Sequence, residues 1–232
     1  MGIINCENIS FSYEKNKVID DISFEINKNE NVGIIGANGS GKTTLFKLIL
    51  GIENVDKGII TIDDLEVKKA NLSKIRSKMG YLFQDSDNQL FMNSVEDEVS
   101  FALYNYGMDE NEISNRVEST LEKLDIKELK ERKIIKLSGG EKKLVAIASI
   151  LAMEPEILLL DEPTNALDPK YRRRIIKLLN EIKCTKIIAS HDLDMISKTC
   201  KKVILLHKGK IVKMGNMQEV LSNEVELRKY DL

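Results

Sequence analysis

The chain has 232 residues, 35 of them basic and 37 acidic, for a formal net charge of −2. That length supports a buried core in one domain, and the near-neutral balance gives no electrostatic case for a nucleic-acid partner. No apolar run reaches the roughly 18–20 residues of a membrane span, no basic-then-apolar pattern opens the chain, and the widely spaced Cys6, Cys184 and Cys200 match no metal spacing, so a cytosolic protein with reduced thiols is expected.

In chain order, Ile3 to Ile35 read as short strands. Ile22, Phe24 and Ile26 alternate with polar residues, the period of a half-buried strand, and Lys28-Asn29-Glu30-Asn31 supplies a turn. The strand Val32–Ile35 runs into Gly36-Ala37-Asn38-Gly39-Ser40-Gly41-Lys42-Thr43-Thr44, which fits the G-x-x-x-x-G-K-[ST] pattern in the strand–loop–helix context that pattern requires. Glycines let backbone N–H groups converge on phosphate oxygens where a side chain would block the approach, and the helix N-terminus adds partial positive charge. Lys42 is then expected to reach the β- and γ-phosphates of a nucleotide, with the Thr43 hydroxyl on Mg²⁺. The helix is expected to run through about Leu50 and to stop at Gly51.

Ile59–Ile62 and Tyr81-Leu82-Phe83 are strand candidates. Between Gln84 and Leu137 the texture changes: Ser94-Val-Glu-Asp97 resembles a helix start, and Ile113, Val117, Leu121 and Leu124 share one helical stripe. This predicts an inserted helical lobe at about 85–150. Leu137-Ser-Gly-Gly-Glu141 then opens an apolar helix, with Ser138 and Glu141 at capping-box spacing. Gly139 and Gly140 cost about 0.5–1 kcal/mol each if they stand in that helix, which predicts a close approach of some group to the backbone. A helix N-terminus of this kind is a second anion-binding surface, so the chain carries two such surfaces but only one complete nucleotide cradle.

Ile157-Leu-Leu-Leu-Asp161-Glu162 reads as a buried strand ending in two carboxylates, Asp161 placed to hold Mg²⁺ and Glu162 to orient or deprotonate an attacking water. Taken alone, the pair could simply cap a strand where it meets solvent. A helix over Asp168–Lys183, capped by Asp168 with Pro169 in its first turn, and strands at Lys186–Ser190 and Val203–Leu206 complete the pattern. Uninterrupted apolar runs point to strands covered on both faces. The expected class is α/β, a phosphate-loop core whose mostly parallel sheet is flanked by helices, with an N-terminal antiparallel β lobe and the inserted helical lobe.

The phosphate loop, Gln84, Leu137-Ser-Gly-Gly-Glu141, Leu160-Asp-Glu-Pro-Thr164, Asn165-Ala-Leu-Asp168 and His191 stand in an order and spacing that resembles the ABC-type ATPases, from about Ile3 to Gly215. Phe83-Gln-Asp-Ser-Asp-Asn-Gln-Leu-Phe91, Val95-Glu-Asp-Glu-Val99 and Glu141-Lys-Lys-Leu-Val-Ala-Ile-Ala148 are similar to the energy-coupling-factor and cobalt-importer subgroup. The resemblance implies one ABC ATPase domain over residues 1–232, working at the cytoplasmic face of a membrane. It implies a head-to-tail dimer with a second copy or a close paralogue, sandwiching two ATP molecules with Mg²⁺. Each ATP would lie between one phosphate loop and Ser138, Gly139 and Gly140 of the other subunit. Tyr13 would stack on adenine, with a place in the core as its alternative. Gln84 would touch Mg²⁺ or water, and His191 would sense the γ-phosphate. His207 has no matching role. Asp87 to Phe91 would help form the groove for a membrane scaffold, which acts with a substrate-binding membrane subunit to import a cobalt or nickel ion or a vitamin. Glu141 stands where Gln is frequent, Leu144 where Arg is common, and the chain ends sooner after its last hairpin than many relatives. The alternative is a soluble ABC ATPase acting on nucleic acid or ribosomes. Against it stand the lack of a long coiled-coil insertion, of a second nucleotide domain and of a basic stripe.

Overall fold

The structure, a computed structural model, describes residues 2–222 and 224–232. Its elements in chain order are β1 (Gly2–Tyr13), β2 (Asn16–Asn27), β3 (Asn31–Ile35), α1 (Lys42–Ile49), β4 (Lys57–Ile62), β5 (Leu65–Glu66), α2 (Leu72–Arg76) and β6 (Met79–Leu82). There follow α3 (Val95–Asn105), α4 (Glu110–Lys123), α5 (Gly139–Leu151), β7 (Ile157–Asp161), α6 (Pro169–Glu181), β8 (Thr185–Ser190), α7 (Leu193–Thr199), β9 (Lys202–His207), β10 (Lys210–Asn216), α8 (Met217–Leu221) and α9 (Glu224–Arg228). They fall into two compact units, one of Met1–Met79, Glu156–Glu162 and Lys183–Leu232, the other of Gly80–Pro155 and Pro163–Ile182.

In the first unit, β1 pairs antiparallel with β2 and β4 in a sheet of order β2-β1-β4-β5. Ile22, Phe24 and Ile26 are buried while Ser23, Glu25 and Asn27 are exposed, as their alternation requires. The second sheet places β3 between β8 and β9, both parallel to it, with β7 parallel beyond β8 and β10 antiparallel beyond β9. Every residue of β7 and β8 is buried, which accounts for the unbroken apolar runs. The register sets Ile35 beside Ser190 and Asp161 beside Ala189, so the carboxyl ends of β3, β8 and β7 finish level. That edge is where ligands bind in open parallel sheets.

In the second unit each helix start is specified locally. Ser94 accepts from Asp97 N, Asp109 from Asn111 N and Glu112 N, and Asp168 from Lys170 N and Tyr171 N. Ile113, Val117, Leu121 and Leu124 are buried as one stripe. The strand expected at Tyr81–Phe83 instead spans Met79–Leu82: Phe83 leaves the ladder because its N–H donates to Gln89 Oε1 at 3.0 Å.

The expected lack of a basic stripe does not hold for α6, which carries Lys170, Arg172, Arg173, Arg174 and Lys177. At least one of these cations has an internal task. Arg174 Nη2 donates to the carbonyls of Leu124 and Asp125 just past the end of α4, where the helix dipole leaves negative charge.

Candidate functional site

The loop between β3 and α1 is a tight wrap in which each glycine has its own reason. A Cβ at Gly36 would stand 2.2 Å from the Leu206 carbonyl oxygen, so this position is closed to side chains by β9 itself. At Gly36 the chain's own backbone is thus a second cause for glycine beside the expected approach of a phosphate. Gly39 differs: its φ of 78° favours glycine and a Cβ there meets nothing within 4 Å, leaving the loop open. Asn38, Gly39 and Thr43 are exposed, Ala37 and Thr44 half-buried, Gly41 buried. Ser40 Oγ is buried with no hydrogen-bond partner, a polar atom that invites a ligand oxygen.

Lys42 is the first residue of α1 and is buried. Its ammonium donates to the carbonyls of Gly36 at 2.6 Å and Ala37 at 3.2 Å. Burial lowers its proton affinity, and the nearby carboxylates of Glu162 and Asp161 oppose that shift. The Thr43 hydroxyl donates to Asp161 Oδ2 at 2.7 Å, joining α1 to the end of β7. Hydroxyl and carboxylate are hard oxygen donors, the set a magnesium ion takes when phosphate oxygens and water supply the rest. Among the described residues no group of three or more His, Cys, Asp and Glu side chains could hold a metal by itself.

Glu162 follows directly, and its backbone is left-handed with φ of 46°. A non-glycine residue in that region is strained and persists because its surroundings hold it, here through its N–H to Ala189 O at 2.8 Å. Its buried carboxylate is held by both oxygens. Ser190 Oγ donates to Oε2 at 2.8 Å, and His191 donates from its backbone N–H to Oε1 at 3.1 Å. His191 Nδ1 lies 2.8 Å from the same oxygen, which puts the ring proton on Nδ1 and leaves Nε2 for another partner. Lys42 Nζ is 4.0 Å away. Ser190 escaped the reading of the sequence; its only signal was its place next to His191 at a strand's carboxyl end. Tyr13 ends β1 at 38% exposure, packed edge-on against the buried Phe11 with Lys47 over its ring. The core alternative for Tyr13 is thereby removed. His207 meets Tyr230 ring to ring, as suits a structural residue.

The second unit carries the remaining candidates. Ser138 caps α5 in a complete capping box: its Oγ accepts from Glu141 N at 3.3 Å, and its own N–H donates to Glu141 Oε2 at 2.7 Å. That hydrogen bond, foremost, holds the Glu141 carboxyl below its ordinary pKa. The two glycines have separate causes. A Cβ at Gly140 would stand 2.4 Å from Tyr171 Cδ2, so what crowds this backbone is the chain's own ring, whereas Gly139 meets nothing within 4 Å and is exposed. Only Gly139 leaves room for a group from outside. Gln84 is exposed, and its carbonyl accepts from Lys143.

A family model described as ABC transporter matches residues 19–165, more than half of the chain. The chain belongs to the ABC transporter family. A protein of Clostridium acetobutylicum provisionally named an ABC transporter ATP-binding protein is 39% identical over 238 residues, covering 100% of this chain and 85% of that one. An energy-coupling factor transporter ATP-binding protein of Clostridium perfringens is 38% identical over 237 residues, with 99% of this chain and 83% of that one covered. The solved structure of CbiO1 from Clostridium perfringens, described as part of the ABC transporter complex CbiONQ, matches with a TM-score of 0.88 at 38% identity, over 98% of this chain and 94% of that one. As an ABC ATPase the chain binds and hydrolyses ATP, and the α/β fold expected from the motifs is the fold of that family. Among the described residues no helix is long and apolar enough to cross a membrane.

Proposed function

We propose that this ABC ATPase powers a membrane import complex of the energy-coupling-factor type, at the cytoplasmic face, for uptake of a cobalt or nickel ion or a vitamin. The names of the relatives from Clostridium perfringens support the class of complex. Support for a membrane partner comes from the second unit, where Phe91 is 64% exposed and stacks edge-on against Phe101, with Tyr104 also exposed. Aromatic side chains exposed together mark a docking surface, and it begins at the segment Asp87–Phe91. The partners in this reading are an integral membrane scaffold, a substrate-binding membrane subunit and a second ATPase subunit.

In the catalytic reading, ATP lies over residues 36–44, with its base against Tyr13 and its phosphates against Lys42 and the backbone N–H groups of the loop. Thr43 and Asp161, with Gln84, would hold Mg²⁺, which supplies positive charge to the phosphate oxygens when bound. Glu162 orients the attacking water and accepts its proton. Ser190 and His191 fix the Glu162 carboxylate so that one of its lone pairs meets the water, and His191 Nε2 would donate to the γ-phosphate when it carries a proton as well as Nδ1. A second subunit, the same chain or a close paralogue, completes the pocket with its Ser138, Gly139 and Gly140 at a helix N-terminus. Phosphoryl transfer depends on positioning and charge, and a dimer that assembles the site only when closed ties turnover to motion of the second units and the membrane partners docked on them.

The observation that carries this reading is the clamped Glu162, a buried carboxylate beside Lys42 at the end of β7. Glu162→Gln keeps the shape and two of these contacts, so ATP binding is expected to persist while turnover is lost; retained turnover would remove Glu162 from its role. Reconstitution of the complex in vesicles, with uptake of labelled cobalt, nickel or vitamin measured against ATP, tests the import reading. Hydrolysis without uptake of any of them contradicts it.

A further inference from the structure

The segment between β6 and α3 is bound to α5 by side chains that the catalytic reading does not use. Lys143, one turn into α5 and only 4% exposed, donates from Nζ to the carbonyl of Gln84 at 2.8 Å and to that of Phe83 at 3.3 Å. Gln89 closes the same junction from the other side: its Oε1 accepts from Phe83 N at 3.0 Å and its Nε2 donates to Ala146 O at 3.1 Å. Lys142 adds an ion pair to Asp87 at 2.6 Å. Burying an ammonium is costly unless its protons are taken, and charge-assisted bonds to two successive carbonyls fix the peptide that carries them. The same helix begins with Ser138, Gly139 and Gly140. Gln84 and the serine-glycine-glycine turn are thus two ends of one hydrogen-bonded body.

The geometry points to Lys143 as a positioning residue for the reaction: it sets Gln84 in fixed register with the turn at the start of α5. This rests on the proposed roles of Gln84 and of that turn. Its ammonium donates to the backbone of the catalytic candidate and of its neighbour. Its consequence is directional. Any displacement of α5 pulls the Gln84 peptide with it, so the metal-side and turn-side parts of two facing sites engage and release together. The α3 side anchors the far end of the segment, because the buried Glu98 accepts from Phe91 N at 3.0 Å and Met92 N at 2.9 Å. The backbone from Gln84 to the exposed Phe91 is therefore held at both ends within the second unit.

The test is a double-mutant cycle of Lys143→Met with Gln84→Ala, at protein concentrations that give full turnover, reading kcat, KM for ATP and the half-saturating Mg²⁺ concentration. Lys143→Met is expected to lower kcat on the order of ten- to a hundred-fold, the usual effect of losing a partner that orients a metal-side group, with KM unchanged and the Mg²⁺ requirement raised. Lys143→Arg should recover most of the loss. In the Gln84→Ala background Lys143→Met should cost nothing further, since it acts through Gln84. Losses that multiply, or a kcat unmoved by Lys143→Met when Gln84→Ala lowers it, would overturn the assignment of Lys143 alone. Turnover indifferent to Gln84→Ala would take the role of Gln84 with it. Should Lys143→Met not fold, Gln89→Leu opens the same junction, and it must show the same lack of further loss beside Gln84→Ala; a multiplied loss there rejects the proposal.

Discussion

The two glycines that open α5 should respond oppositely to the same substitution. At Gly140 a methyl group would lie 2.4, 2.5 and 2.7 Å from Tyr171 Cδ2, Cγ and Cε2, against an ordinary carbon contact of about 3.5–4.0 Å. Relief is not simple, because Cγ, the ring atom next to Cβ, is among the atoms in the way, and the Tyr171 backbone that carries it is held by the Asp168 carboxylate. Overpacking of this kind costs about 1–3 kcal/mol, and the better helix propensity of alanine returns at most about 1 kcal/mol. Gly140→Ala is therefore expected to destabilise by about 1–2 kcal/mol, which for a chain of this size lowers Tm by about 2–8 °C. At Gly139 the methyl meets open space, so Gly139→Ala should gain up to about 1 kcal/mol and raise Tm by up to about 4 °C. Thermal unfolding followed by circular dichroism measures both. A Tyr171→Leu background removes the ring edge, and there the cost of Gly140→Ala should shrink. Equal Tm shifts for the two alanine variants, or an undiminished cost beside Tyr171→Leu, would refute the account of why these glycines are present.

Other expectations follow from the clamps and the buried groups. Ser190→Ala frees one oxygen of Glu162, so kcat should fall while KM for ATP stays fixed; a loss confined to KM contradicts the positioning role of Ser190. The Glu141 pKa is lowered in the fold, so its charge contributes stability above its unfolded value of about 4.3, and that contribution is lost as pH falls through the lower folded value. Wild type should accordingly exceed Glu141→Gln in Tm at pH 7 and converge with it in acid; a constant gap down to pH 2 refutes this. Burial pushes the Cys200 thiol up to about 11 and Cys6 higher still, and Cys184 is buried with them. A thiol reagent at pH 8 should label none of the three in the native chain and all three in denaturant, whereas rapid native labelling would contradict their burial.

How much was legible in the sequence depends on how local each cause is. The phosphate loop, the all-apolar run of β7 and the caps at Ser94, Ser138 and Asp168 are written in neighbouring residues, and each was readable from spacing alone. Asp161 and Glu162 could be singled out together, but not the wiring that separates them. Asp161 answers a threonine 118 positions away, and Glu162 a serine and histidine 28 and 29 positions away. The Glu162 contacts follow from the parallel pairing of β7 with β8, and the Thr43–Asp161 contact from the pairing of β3 on the other side of β8. Gly36 and Gly140 make the same point: both look like ligand glycines in sequence, yet Leu206 and Tyr171, distant along the chain, occupy their space. Nothing in the sequence ties Lys143 to Gln84, 59 positions away, and the Asp192 cap of α7 is followed by a short segment with no clear periodic stripe. The basic residues of α6 are plain in the sequence, but the task of Arg174 at the end of α4 depends on how two helices within the second unit meet.

In the proposed function, one copy of the chain does not contain a whole catalytic site. The most direct measurement is the specific rate of ATP hydrolysis as protein is diluted, with the mass in solution followed by light scattering. The rate per chain is expected to fall as the dimer dissociates and to recover when more of the chain, or a close paralogue that pairs with it, is added back. A chain that is monomeric by light scattering, hydrolyses ATP at an undiminished rate and is indifferent to Ser138→Arg would contradict it.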